Sequence, residues 1–261
     1  MNPLFLTAEE LNAHPELFYD PERTKAENEG PFLIVYDDFY HNPHEIREMA
    51  LSKEFVQYAP PLPAQVGDEI ASEFKDKRPA WMTSSMLRFH GREVANPKPG
   101  YRHATPDVRQ KIAGIIGETV DPETWDEMGD WWNGAFHLQL HTWGTEGGYN
   151  PHIHHHFKEG DVAPRGWSGL IYLTPDAPPE VGTTIWKNKK TGLCIASKGS
   201  SFDRDLSDFE LALLVENRFN RLVLFRENVL HRAEHGFGST LETGRMTQTF
   251  FFHSERNKSE N

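Results

Sequence analysis

The chain has 261 residues, 37% hydrophobic and 12% aromatic, with 39 acidic against 27 basic residues and a formal net charge of −12. That length fills one sizeable core, the acidic excess disfavours a phosphate backbone, and no run nears the roughly 18–20 apolar residues of a membrane span, so neither nucleic acid nor membrane is expected as a partner. Cys194 is the sole cysteine, which excludes an internal disulfide and a cysteine-built zinc site; with no signal-like leader in M-N-P-L-F-L-T-A-E-E, the expected location is the cytoplasm.

In chain order, Thr7 and Glu10 stand at capping-box spacing and predict a short helix over 7–18. P-F-L-I-V-Y-D-D-F (31–39) is rich in branched and aromatic residues and predicts a strand. Asn42-Pro43 starts a helix with Ile46, Met49, Ala50 and Phe55 at helical spacing. Another helix is expected from Thr105-Pro106 through V-R-Q-K-I-A-G-I-I-G-E-T-V. From about residue 131 the texture changes to short apolar runs between Gly, Pro and Asn. These are A-F-H-L-Q-L-H-T-W (135–143), W-S-G-L-I-Y-L-T (167–174), G-T-T-I-W (182–186), R-L-V-L-F-R (221–226) and R-M-T-Q-T-F-F-F (245–252), with a helix expected around D-F-E-L-A-L-L-V-E-N (208–217). Such spacing predicts an all-β core with flanking helices, a sandwich or jelly roll. Residues 1–130 read as an N-terminal elaboration packed on a core formed by 131–261, one compact domain overall.

Fourteen histidines are many for this length, and four of them stand in Y-N-P-H-I-H-H-H (149–156). Imidazole is the commonest neutral metal ligand, and alternate residues of a strand share a face. His152, His154 and His156 therefore lie on one side and His155 with Ile153 on the other. An H-x-H pair offers two nitrogens to one ion, in either of two registers: His152 with His154, or His154 with His156. The third ligand is expected from His231, at the end of the apolar run R-L-V-L-F-R-E-N-V-L-H; His235 is a weaker candidate. A solvated histidine-rich loop is the competing reading. Arg245 opens an otherwise apolar strand, which is costly unless it meets an anion, and its planar fork fits a carboxylate.

The ordered set G-G-Y-N-P-H-I-H, W-S-G-L-I-Y-L-T-P, G-T-T-I-W, L-V-L-F-R-E-N-V-L-H-R and R-M-T-Q-T-F-F-F resembles the iron(II)- and 2-oxoglutarate-dependent oxygenases. The resemblance covers roughly residues 131–253 and is strongest to the prolyl-4-hydroxylase-like branch of bacteria and phages. It implies a double-stranded β-helix (cupin-like jelly roll) with Fe(II) held by His152 and His231, and His154, at the position of the family's carboxylate, is expected as the third ligand. It also implies 2-oxoglutarate as cosubstrate, its far carboxylate on Arg245, and O2 and a small-molecule or peptide substrate as partners. Gln139, Tyr149 and Thr247 are candidate cosubstrate contacts, with Tyr172 a weaker one. The five tryptophans at 131, 132, 143, 167 and 186 are read mainly as core, and Glu159 and Asp161 as a loop over the metal. The family has H-x-D or H-x-E where this chain has His154. That departure keeps open a three-histidine dioxygenase needing no 2-oxoglutarate, and a non-catalytic metal-binding protein on the same fold.

Overall fold

The computed structural model describes residues 31–53, 55–58, 80–82, 106–129, 133–141, 151–154, 166–196 and 206–256. The helix expected at 7–18, Tyr149, His155, His156 and the 159–161 loop lie outside the described residues.

Among the described residues, three α-helices accompany the sheets. Helix α1 (Pro43–Leu51) starts as expected, with proline in the first turn where its missing N–H goes unneeded, and it buries Arg47 and Ala50. Helix α2 (Pro106–Ile116) is shorter than the sequence suggests. Gly117 takes a left-handed conformation (φ 69°) that ends it, and E-T-V becomes strand β4 (Glu118–Val120) instead. The β-branched Thr119 and Val120 suit that strand, which pairs with the distal end of β11 (Arg245–Arg256). Helix α3 (Pro122–Gly129) was not foreseen; its entrance carries Asp121, whose carboxylate accepts the Glu123 N–H at 2.9 Å.

A second correction falls at 208–217. The helix expected there is strand β8 (Phe209–Val215). F-E-L-A-L-L-V is full of helix formers, yet it pairs antiparallel with β7 (Thr183–Asn188), and a register shift between Ile185 and Trp186 breaks the strict alternation that would have revealed it.

The remaining strands are β1 (Leu33–Tyr36), β2 (Val56–Tyr58), β3 (Ala80–Met82), β5 (Phe136–Gln139), β6 (Gly166–Tyr172), β9 (Leu222–Arg226) and β10 (His231–Ala233). The large sheet runs β1-β9-β6-β11-β5-β3-β2 with β4 on the end of β11, and the small sheet runs β10-β7-β8. An antiparallel bridge between His152 and His231 adds the 152 segment beside β10. Number the core segments β5, 152, β6, β7, β8, β9, β10, β11 in chain order. The large sheet then takes the first, eighth, third and sixth as neighbours, and the small sheet the second, seventh, fourth and fifth. Successive segments thus cross between two antiparallel sheets in pairs, which is the jelly-roll winding of a double-stranded β-helix.

Alternation sorts the residues by face. Phe136, Leu138, Trp167, Ile171, Leu224, Met246 and Phe250 form the outer face of the large sheet, packed against Ala50, Ile112, Ile116 and Trp125 of the helical layer. The inner face meets the small sheet through Tyr172, Val223 and Phe225 against Ile185, Leu213 and Val215. Polar side chains within this second layer mark the site. Among the described residues, no helix is long and apolar enough to cross a membrane.

Candidate metal centre

Two backbone hydrogen bonds clasp the histidine segment to β10: His152 N–H donates to the His231 carbonyl at 2.9 Å and His231 N–H to the His152 carbonyl at 3.0 Å. One step on, His154 N–H donates to the Glu227 carbonyl at 3.0 Å. The hydrophobic run L-V-L-F-R carries the chain through the large sheet, turns at Glu227-Asn228 and delivers His231 to the inner side of the small one. His231 is buried, packed with its ring centroid 4.1 Å from that of Phe225. His154 is exposed and meets the edge of Phe251 at 5.0 Å between centroids.

The structure brings His152, His154 and His231 together so that one ligand nitrogen from each lies within 4.8 Å of the others. His154 Nε2 and His231 Nε2 are 2.8 Å apart. His231 Nδ1 lies 2.8 Å from the Val229 carbonyl. A carbonyl only accepts, so Nδ1 carries the proton and Nε2 presents its lone pair toward the other two rings. Imidazoles bind a divalent metal at about 2.1 Å, which sets neighbouring ligand nitrogens roughly 3 Å apart, and the 2.8 Å separation fits that geometry. Three imidazoles suit iron, nickel, copper or zinc and are a poor set for magnesium or calcium. His235 is exposed and outside this group.

Arg245 lies 2% exposed at the start of β11. Its Nε donates to the Val181 carbonyl at 3.0 Å, one terminal nitrogen to the Gly182 carbonyl at 3.1 Å, and the other to Gln139 Oε1. Gln139 sits directly opposite in the strand register, and in this arrangement its carbonyl oxygen serves the arginine. Every one of these acceptors is neutral, and no carboxylate forms an ion pair with Arg245 among the described residues. Burial lowers its pKa, an effect opposed by Tyr172 and Glu234, but a guanidinium keeps its charge throughout. A buried cation whose hydrogen-bond acceptors are neutral keeps capacity to pair with an anion.

Between arginine and histidines runs a polar row. Arg245, Thr247, Thr249 and Phe251 follow one another on the inner face of β11, and Thr247 is flanked by His137 on β5 and Tyr172 on β6. Tyr172 Oη is 2.7 Å from Thr183 Oγ1, and its ring centroid is 5.5 Å from the Arg245 guanidinium. Burial pushes the Tyr172 phenol up. His137 Nε2 is 3.1 Å from Thr249 Oγ1, and burial together with the charge of Arg245 pushes the imidazole down to about 3. Sequence reasoning missed His137 and Thr249. The signal was present: F-H-L-Q and R-M-T-Q-T alternate, so His137 had to share the face of Gln139, and Thr249 that of Arg245 and Thr247.

No protein-family model matches the chain, and no curated protein matches it. Solved structures similar to it include HygX from Streptomyces hygroscopicus with nickel, 2-oxoglutarate and hygromycin B bound, at 14% identity over 95% of this chain and 87% of that one, with a TM-score of 0.42. A prolyl hydroxylase from Trichoplax adhaerens in complex with a hypoxia inducible factor oxygen degradation domain peptide is 12% identical over 86% of this chain and 84% of its own, with a TM-score of 0.42. A prolyl-4-hydroxylase from Pseudomonas putida is 14% identical over 85% and 92%, with a TM-score of 0.35.

Proposed function

We propose that the protein is an iron(II)- and 2-oxoglutarate-dependent oxygenase that hydroxylates a small-molecule or peptide substrate. One observation carries the reading: three imidazole nitrogens converge within 4.8 Å inside a jelly roll, and the inner face of the same barrel carries a buried arginine whose hydrogen-bond acceptors among the described residues are neutral. His152, His154 and His231 hold the iron, and Arg245 pairs with the far carboxylate of the oxo acid. With O2, the loaded centre supplies the oxidising chemistry that places a hydroxyl on the substrate while the oxo acid becomes succinate and CO2.

The chain's own contribution is placement. The Val229 carbonyl fixes the His231 tautomer and ring. Gly182, Val181 and Gln139 hold the planar Arg245 fork in place, so the anion meets a preformed receptor and little ordering is left to do on binding. Thr247 is two residues from Arg245 on the same face and adds a hydroxyl beside the carboxylate. Phe225 and Phe251 give the imidazoles an apolar surround that keeps bulk water from that side.

The absence of any carboxylate from the three-ligand group favours a second reading: a three-histidine dioxygenase that uses no 2-oxoglutarate, with Arg245 holding the substrate's own carboxylate. A non-catalytic metal protein on this fold is the third. The three separate in one experiment on protein purified without oxygen and loaded with Fe(II). Succinate formation that requires both 2-oxoglutarate and O2 is the expected result. O2 uptake indifferent to 2-oxoglutarate would establish the second reading, and tight metal with no O2 uptake the third. His231→Ala is expected to lower bound metal to background; retention of one equivalent would overturn the ligand assignment.

A further inference from the structure

Resting on the oxygenase reading, we infer that His137 selects the oxo acid, favouring a five-carbon unbranched 2-oxo dicarboxylate over its six-carbon homologue. Both ends of the polar row are fixed. At one end, the Arg245 fork is pinned by three carbonyl oxygens on two different segments. At the other, the histidines are pinned by the bridge between the 152 segment and β10. A dicarboxylate that spans fixed ends must match their separation, and one extra methylene has to bow the chain sideways. His137 stands where the row has a side wall. In the register it faces Thr247, next to the Arg245–Gln139 pair and on the way to Phe251, which touches His154.

Three features make this ring a wall instead of an anchor. Its Nε2 is tied to Thr249, so the imidazole cannot swing away without giving up that bond inside the protein. The ring is neutral beside Arg245, so it offers no charge to a carboxylate and leaves anion binding to the guanidinium. Its Nδ1 makes no hydrogen bond among the described residues, so the ring is not built into a structural network on that side. A flat, uncharged, tethered group beside a buried cation acts on the shape of the ligand.

The test uses full-length protein loaded with nickel in place of iron, titrated calorimetrically with 2-oxoglutarate and with 2-oxoadipate. Wild type is expected to prefer the five-carbon acid by about tenfold or more, the discrimination one methylene commonly gives in a fitted pocket. His137→Ala is expected to narrow that preference to about threefold or less by gaining affinity for the longer acid. His137→Gln, similar in reach and neutral, is expected to keep the wild-type ratio. Should His137→Ala lose its near-UV circular dichroism, His137→Val carries the same comparison. An unchanged ratio in the shortened variant, or no preference in wild type, overturns the inference and leaves the oxygenase reading standing. Nickel binding without affinity for either acid overturns both.

Discussion

His137 sits in an environment that its sequence neighbours do not suggest, and it makes the protein's acid response predictable. The unfolded imidazole takes a proton near pH 6.5, whereas the native one resists until about 3 because burial and Arg245 both oppose the charge. Between those values the unfolded chain binds the extra proton, so native stability is full above about pH 6.5 and falls as pH drops toward 3. Urea midpoints measured at pH 7 and pH 4.5 should therefore separate more in wild type than in His137→Gln. Equal separations would mean that this imidazole does not sense the interior charge. Sequence reading singled out His152, His154, His231 and Arg245 because the proposed metal and anion roles restrict both residue type and strand position, and the structure brings the three histidines together and buries the arginine. It passed over His137: alternation places that residue on the face of Gln139, but its contact with Thr249 and its closeness to Arg245 depend on a partner strand far away in sequence.

At the level of elements, the approach to β7 shows how tightly backbone and site are linked. Gly182 has no room for a side chain: a Cβ there would sit 1.8 Å from the Val215 carbonyl oxygen and 2.9 Å from Asn217 N. Its own carbonyl accepts from Arg245 and from the Glu234 N–H. Gly182→Ala must therefore push the β7 entrance from β8 and displace an arginine acceptor together. A loss of about 1–3 kcal/mol in chemical denaturation, with weaker 2-oxoglutarate binding, is the expected outcome; wild-type stability would show that the strands part freely at this point. Elements also reveal what local sequence hides. The run E-L-A-L-L reads as helix because its propensities are helical, and only the pairing of β8 with β7 makes it a strand. The end of α2 was readable at Gly117 in principle, since glycine is the residue that accepts a positive φ, but a glycine also stands at 114 within the same helix without ending it.

For the whole molecule, the joint between helical layer and barrel is an ionic cluster on the outer side of the large sheet. Glu118 and Arg226 form a buried ion pair, with Glu118 also accepting from Ser254 Oγ and from Trp167 Nε1, the latter at 3.2 Å. The Arg226 guanidinium lies 4.0 Å from the Trp167 ring centroid. Burial alone would raise the Glu118 pKa, but the Arg226 charge and these hydrogen bonds hold it below the ordinary range. Its contribution is present above about pH 4.5 and is lost as pH falls through the lowered native value. Removing one partner strands a buried charge, so Glu118→Ala is expected to cost about 3–5 kcal/mol by denaturant titration while metal binding to the folded fraction persists. A cost below about 1 kcal/mol would place the pair with exposed ones. The change in texture near residue 131 precedes β5, which starts at Phe136. That β1 and β4 extend the same sheet from earlier in the chain was not legible, because edge pairing depends on partners far away in sequence.

Arg245 belongs to β11 of the large sheet, but two of its hydrogen bonds end on Val181 and Gly182, the lead-in to β7 of the small one. Under the proposed function it is a cross-brace as well as a receptor, tying the large sheet to the lead-in of the small one. Arg245→Ala should therefore lower both thermal stability and oxo-acid affinity, and neither loss by itself would identify the ligand. Thr247→Val separates the two, because the Thr247 hydroxyl makes no hydrogen bond among the described residues and the swap leaves the brace intact. A drop in 2-oxoglutarate affinity at unchanged melting temperature is the expected signature, and unchanged affinity would remove Thr247 from the receptor. The arrangement also means that whatever anion settles on Arg245 loads a strut between the sheets, so filling the pocket should stiffen the barrel as a whole.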